Sequence, residues 1–107
     1  MSGFDERERS YEKKFERDQE LAFKAKARRN KLLGFWAAER MGLTGPAAEA
    51  YARGIVEGEV RHHSDEDLIA QVVRDAGAKG VSLDAARVRA ELTRCHAEAK
   101  TQLGIPT

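Results

Sequence analysis

Residues 4–43 read FDERERSYEKKFERDQELAFKAKARRNKLLGFWAAERMGL. The stretch changes character at the step from Glu20 to Leu21. Before the step, Phe4, Tyr11 and Phe15 fall within about 40° of one another on a helix turning about 100° per residue. This stripe is one side chain wide. An acidic rail (Glu8, Glu12, Glu16, Glu20) and a basic rail (Arg9, Lys13, Arg17) flank it at four-residue spacing. Three aromatic side chains bury too little surface to offset the entropy of ordering the segment. It is therefore expected to be frayed or disordered when free, and helical when a groove receives it. After the step, Leu21, Ala22, Ala25, Leu32, Leu33 and Trp36 gather on one broad face nearly in phase with the aromatic stripe. That half is expected to be anchored in a core, with Leu33, Phe35 and Trp36 as core residues rather than a ligand platform. Between positions 21 and 38 there is no acidic residue, against the basic Lys24, Lys26, Arg28, Arg29 and Lys31.

Working outward, 107 residues with 41% apolar and 35% charged side chains suffice for one small domain with a thin core. Nineteen basic and eighteen acidic residues nearly cancel. No global field therefore draws the chain to nucleic acid or an anionic membrane. A single cysteine, Cys95, excludes an internal disulfide, and no apolar run resembles a signal peptide or a membrane span. These features point to a cytosolic protein without direct membrane insertion.

The periodicity predicts an all-α fold of four helices joined by short connections, mostly packed antiparallel. The first helix is expected to run to about Met41, with Gly34 as its one weak interior residue and Gly42 as its stop. Thr44 and Pro46 open a second helix carrying Ala48, Tyr51, Ala52, Ile55, Val56 and Val60 on one face. Ser64, three residues before Asp67, opens a third, with Leu68, Ile69, Val72, Val73 and Ala76 facing inward and a glycine loop at 77–80 closing it. Ser82 is read as the cap of a fourth, in which Ala85, Val88, Leu92, Cys95, Ala99 and Leu103 recur at three-four spacing until Gly104 and Pro106.

Chemistry-bearing constellations are sparse. His62, His63, Cys95 and His96 lack the two-to-four-residue gaps of zinc sites, so they read as loop histidines, a small core cysteine and a solvent-facing histidine. The carboxylates sit among lysines and arginines on solvated faces, and phosphate-loop and dinucleotide fingerprints are absent. No catalytic residue and no cofactor is expected. The basic block leaves one ligand reading open, an adenine nucleotide held weakly by Lys24, Arg28, Arg29 or Lys31 beside Trp36. A nucleic-acid reading of the same block would require strongly salt-dependent binding, and its charges point around much of the helix rather than along one stripe.

The FDERE opening, the Lys14-Phe15 pair, the FKAKARRNKLLG block and the WAAE run occur here in one order. In these runs the chain resembles the alphaproteobacterial ATPase inhibitor family, the zeta subunit of F-type ATP synthase. The similarity spans essentially the whole chain and is most specific over residues 4–45. The resemblance implies a non-catalytic regulatory subunit that stops ATP hydrolysis by the F1 head. Its N-terminal segment would enter a catalytic interface between the alpha and beta subunits near gamma and block rotation. Residues 1–19 would then be a flexible inhibitory segment and 20–107 a four-helix body. Phe4, Tyr11 and Phe15 would be apolar anchors, and Glu8, Arg9, Glu12, Lys13 and Arg17 would pair with charges lining the cleft. Through the synthase, the protein would sit on the cytoplasmic face of the inner membrane.

Overall fold

The computed structural model describes the backbone at 2–58 and 64–105, and the side chains at 13–58 and 64–105. Four helices follow one another: α1 (Ser2–Arg40), α2 (Gly45–Glu57), α3 (Asp65–Ala78) and α4 (Ala85–Gln102). The described residues contain no strand. At 1.5 Å per residue, the 39 residues of α1 span about 58 Å, which accounts for most of the 66 Å long axis of the molecule. The opening stretch and the basic block thus form one continuous helix, as their in-phase faces require.

The body packs onto the second half of that helix. α2 and α4 both lie against α1 and run antiparallel to it. Arg28 donates to Gln102 at one end of the α1–α4 contact, and Arg87 stacks on Trp36 at the other. α3 packs mainly on α4. The core joins Leu33 and Ala37 of α1 to Ile55, to Leu68, Ile69, Val72 and Ala76, and to Val88, Leu92 and Cys95. Two seams hold small residues: Gly34 faces Ala52 across α1 and α2, while Ala25 and Ala99 are buried in α1 and α4. A Cβ at Gly34 would lie 2.7 Å from the Ala52 Cα, so the two backbones approach as closely as a missing side chain permits. Gly34 is therefore a packing residue, beyond the weak helix former that propensity alone makes it.

Helix ends explain the boundaries. Past the end of α1, Gly42 takes φ +78° and the Leu43 N–H reaches the Ala38 carbonyl at 2.9 Å. Past α3, Gly80 takes φ +77° and the Val81 N–H reaches Ala76 at 2.8 Å. Both are glycine-terminated stops in which the second residue outside bonds back across the last turn. Gly77, expected in the loop, is still inside α3. At α2, Thr44 is the N-cap and Pro46 sits in the first turn, but the threonine side chain makes no capping bond. Ser64 accepts the Asp67 N–H at 3.4 Å, as its spacing suggests. The fourth helix is capped by Asp84 rather than by Ser82. The Asp84 carboxylate accepts the Arg87 N–H at 2.7 Å. Leu83 before the cap and Val88 in the next turn both enter the core, and this apolar pair sets the start of the helix two residues later than Ser82 would.

Candidate functional site

Along α1 the surroundings change abruptly. Every side chain from Lys13 to Glu20 is exposed, Leu21 is half-covered, and Ala25 is the first buried residue. The described part of the arm includes Lys13, Phe15 and Arg17, all in solvent, with Phe15 56% exposed. Phe4, Glu8, Arg9, Tyr11 and Glu12 lie on the same helix, but their side chains fall outside the described residues. Helical geometry keeps Phe15 in phase with Ala22, Arg29 and Leu33, so Phe15 continues the body-facing side of α1 beyond the edge of the body.

Two features fix the root of the arm. Asp18, Leu21, Ala22 and Ala25 share a groove with His96, Lys100 and Ile105 at the far end of α4. One helical turn further into the body, Arg29 is 8% exposed and ties α1 to the start of α3. Its two Nη atoms donate to the Asp65 carboxylate at 3.0 and 3.2 Å, and its Nε donates to the Asn30 Oδ1 at 3.0 Å. A guanidinium buried this far is tolerated because its donors are paired in a bidentate geometry. Asp65 also sits in the first turn of α3, where the helix dipole favours a carboxylate. A second polar tie, Tyr51 Oη to Asp75 at 2.8 Å, joins α2 to α3. Burial first, then that donated hydrogen bond, hold the phenol far above its usual range.

The five residues read as nucleotide or anion contacts separate into two sets. Lys24, Arg28 and Lys31 line one shallow groove on the outer side of α1. Within that set, Lys24 also pairs with Glu20 at 3.2 Å, and Arg28 donates to Gln102 at 3.3 Å. Arg29 and Trp36 lie elsewhere on the helix. The guanidinium of Arg29 is taken up by Asp65, and the Trp36 ring lies against the core with Arg40 and Arg87 at 5.4 and 5.8 Å from its centroid. Lys31 also meets Phe35, Glu49, Arg53 and Val56 in a cavity of about 330 Å³ between α1 and α2.

Cys95 is buried in the core, and burial pushes its thiol up to about 11, so it is a poor nucleophile. The adjacent His96 is exposed. Partial burial and the nearby cations Lys100 and Arg29 lower its pKa, and Asp65 opposes them. His62 and His63 lie outside the described residues. Among the described residues, no cluster of histidine, cysteine or carboxylate side chains is arranged to hold a metal ion, and no helix is long and apolar enough to cross a membrane.

Sequence reasoning did not single out Phe23, which is 67% exposed. Its helical phase, outside the Leu21 to Trp36 face, was the available signal. Asp65 as the partner of Arg29 carried no local signal, since the two are 36 residues apart.

A family model described as ATPase inhibitor subunit zeta matches residues 1–102. A solved structure, a solution NMR structure of a protein, is 41% identical to the chain. The match covers 78% of this chain and 94% of that one, with a TM-score of 0.68. Among curated proteins there is no match.

Proposed function

Because the chain belongs to the ATPase inhibitor subunit zeta family, we propose that it is a non-catalytic regulatory subunit that halts ATP hydrolysis by the F1 head of ATP synthase. The N-terminal part of α1 enters a catalytic interface between the alpha and beta subunits, close to gamma, and blocks rotation there. Residues 1–19 act as the inserting segment and order as they enter, while the body from residue 20 onward holds the helix at a fixed angle. Phe4, Tyr11 and Phe15 fill apolar pockets, and Glu8, Arg9, Glu12, Lys13 and Arg17 pair with charges on the cleft walls. Buried aromatic anchors carry more of such an interface than rim charges do. The complex places the protein on the cytoplasmic face of the inner membrane without inserting into it.

The observation that carries this reading is the continuity of α1. A single helix runs from Ser2 to Arg40, every side chain from Lys13 to Glu20 is exposed, and Phe15 among them stands 56% exposed. An exposed aromatic ring on a helix that extends beyond a packed base suits insertion into a groove. The test is ATP hydrolysis by the cognate purified F1 head, titrated with the full chain and with a chain starting at Glu20. Inhibition by the full chain alone is expected. Equal inhibition by both would place the effector in the body.

A second reading is favoured by the cavity that Lys31 and Arg53 share with the Phe35 ring. Two cations near an aromatic ring suit the phosphates and base of an adenine nucleotide held weakly, with Glu49 of the same lining opposing the phosphates. Amide shifts around Lys31 to Trp36 on titration with ADP or ATP are expected if so. Unmoved signals at millimolar ligand would end that reading.

A further inference from the structure

Among the described residues, two large apolar side chains are exposed, Phe15 at 56% and Phe23 at 67%. The proposed insertion accounts for Phe15 and leaves Phe23, the more exposed of the two, unexplained. Phe23 lies about 12 Å further along α1 and about 80° around it, so the two rings share one side of the helix where the arm meets the body. Beside Phe23 is a shallow groove of about 330 Å³ whose floor is Ala27, Val56 and Leu103. Its rim is Lys24, Arg28 and Lys31. On α1 itself Glu20 pairs with Lys24 at 3.2 Å, and no acidic residue occurs between positions 21 and 38 beside Arg28 and Lys31. An exposed aromatic ring continuous with an apolar, cation-lined groove is the kind of surface that protein contacts use.

From this we infer that the F1-binding surface extends past the inserted segment to Phe23 and its groove, which receive an acidic, apolar-centred ridge on the outer rim of the cleft. This rests on the insertion reading, which brings that rim against the root of the arm. The occupant follows from charge and continuity. The rim cations call for carboxylates, Phe23 and the groove floor call for an apolar centre, and a partner that swallows the helix through Phe15 meets Phe23 two turns later. Phe23 is then an anchor outside the cleft that adds affinity and limits how deep the arm enters.

The test titrates F1 ATP hydrolysis with the full-length wild type and with Phe23→Ala, Phe15→Ala and Arg28→Glu, each checked for unchanged helix content and Tm. Phe23 is exposed, so its truncation leaves the fold intact. Half-inhibition by Phe23→Ala is expected at about tenfold higher concentration, the usual effect of removing an interface anchor. Arg28→Glu is expected to weaken inhibition less, by an amount that shrinks as salt rises. If Phe23→Ala matches wild type while Phe15→Ala is weakened, the surface ends with the arm and the inference is overturned, with the insertion reading intact. If the wild type does not inhibit, both readings fall together. Light scattering on the free proteins covers the other occupant: a wild-type dimer that Phe23→Ala converts to monomer assigns Phe23 to a second copy and overturns the inference.

Discussion

The two halves of α1 have the same backbone and different reasons to be helical. From Ala25 to Ala38 the helix is held by what it buries: Ala25, Leu33, Ala37 and Ala38 are at most 2% exposed, and Arg29 and Asn30 join them through paired hydrogen bonds. From Lys13 to Glu20 nothing is buried. Tertiary packing supplies most helical stability in proteins, so the covered half is held by the body and the stretch from Lys13 to Glu20 is not.

The contrast makes its largest prediction at two apolar residues on the same face. Leu33→Ala removes a fully buried side chain from the core and is expected to destabilise the protein by about 3 kcal/mol. In a domain of this size that lowers Tm by about 10–20 °C. Phe15→Ala removes a larger side chain from solvent and is expected to leave thermal stability within about 0.5 kcal/mol of wild type while weakening inhibition. Paired melting curves and inhibition titrations check both. A large loss of stability from Phe15→Ala would show that the arm is packed on the body, and the division of α1 would fail.

A second pair sharpens what holds the covered half. Gly34→Ala improves helix propensity by about 1 kcal/mol, yet its new Cβ would meet the Ala52 backbone at 2.7 Å. The obstacle is main chain, which moves only if α1 and α2 separate. Net destabilisation of about 1–2 kcal/mol is expected, the clash outweighing the propensity. Gly54→Ala is the control: nothing lies within 4 Å of its Cβ position, so the same substitution there is expected to stabilise by up to about 1 kcal/mol. Denaturant midpoints of opposite sign at the two glycines would establish the close seam. Two stabilising results would remove it.

The apolar periodicity carried the fold almost entirely, because helices at three-four spacing with glycine stops are local features. Gly42 and the faces of α2, α3 and α4 needed no knowledge of their neighbours. What escaped was long-range. Gly34 is indistinguishable from an ordinary weak helix former until Ala52 is placed opposite it, and Arg29 is indistinguishable from Arg28 until Asp65 arrives from another helix. Grouping Arg29 and Trp36 with Lys24, Arg28 and Lys31 followed sequence proximity, whereas helical phase sends the two sets to different sides. The fourth cap was misplaced because serine and aspartate cap equally well, and the Leu83–Val88 pairing that selects Asp84 is visible only once both residues are known to be buried. Of the aromatic stripe, which stands out in sequence as a face too thin to build a core, the described side chains include Phe15, and it is exposed.

The smallest effect concerns the joint between the two halves. His96 faces Arg29 of α1, Lys100 of its own helix and Asp65 of α3. Burial first, and then the two cations, lower its pKa below the ordinary 6.5, so the folded protein favours the neutral ring more than the unfolded chain does. The unfolded state therefore binds the proton more readily, and stability falls as pH drops below about 6.5. The ring is exposed, so solvent keeps this loss slight, and Asp65 offsets part of it. Melting temperatures at pH 7.5 and 5.5 are expected to differ slightly less in His96→Gln than in wild type. An identical pH dependence would show that protonation of His96 does not bear on stability over this range.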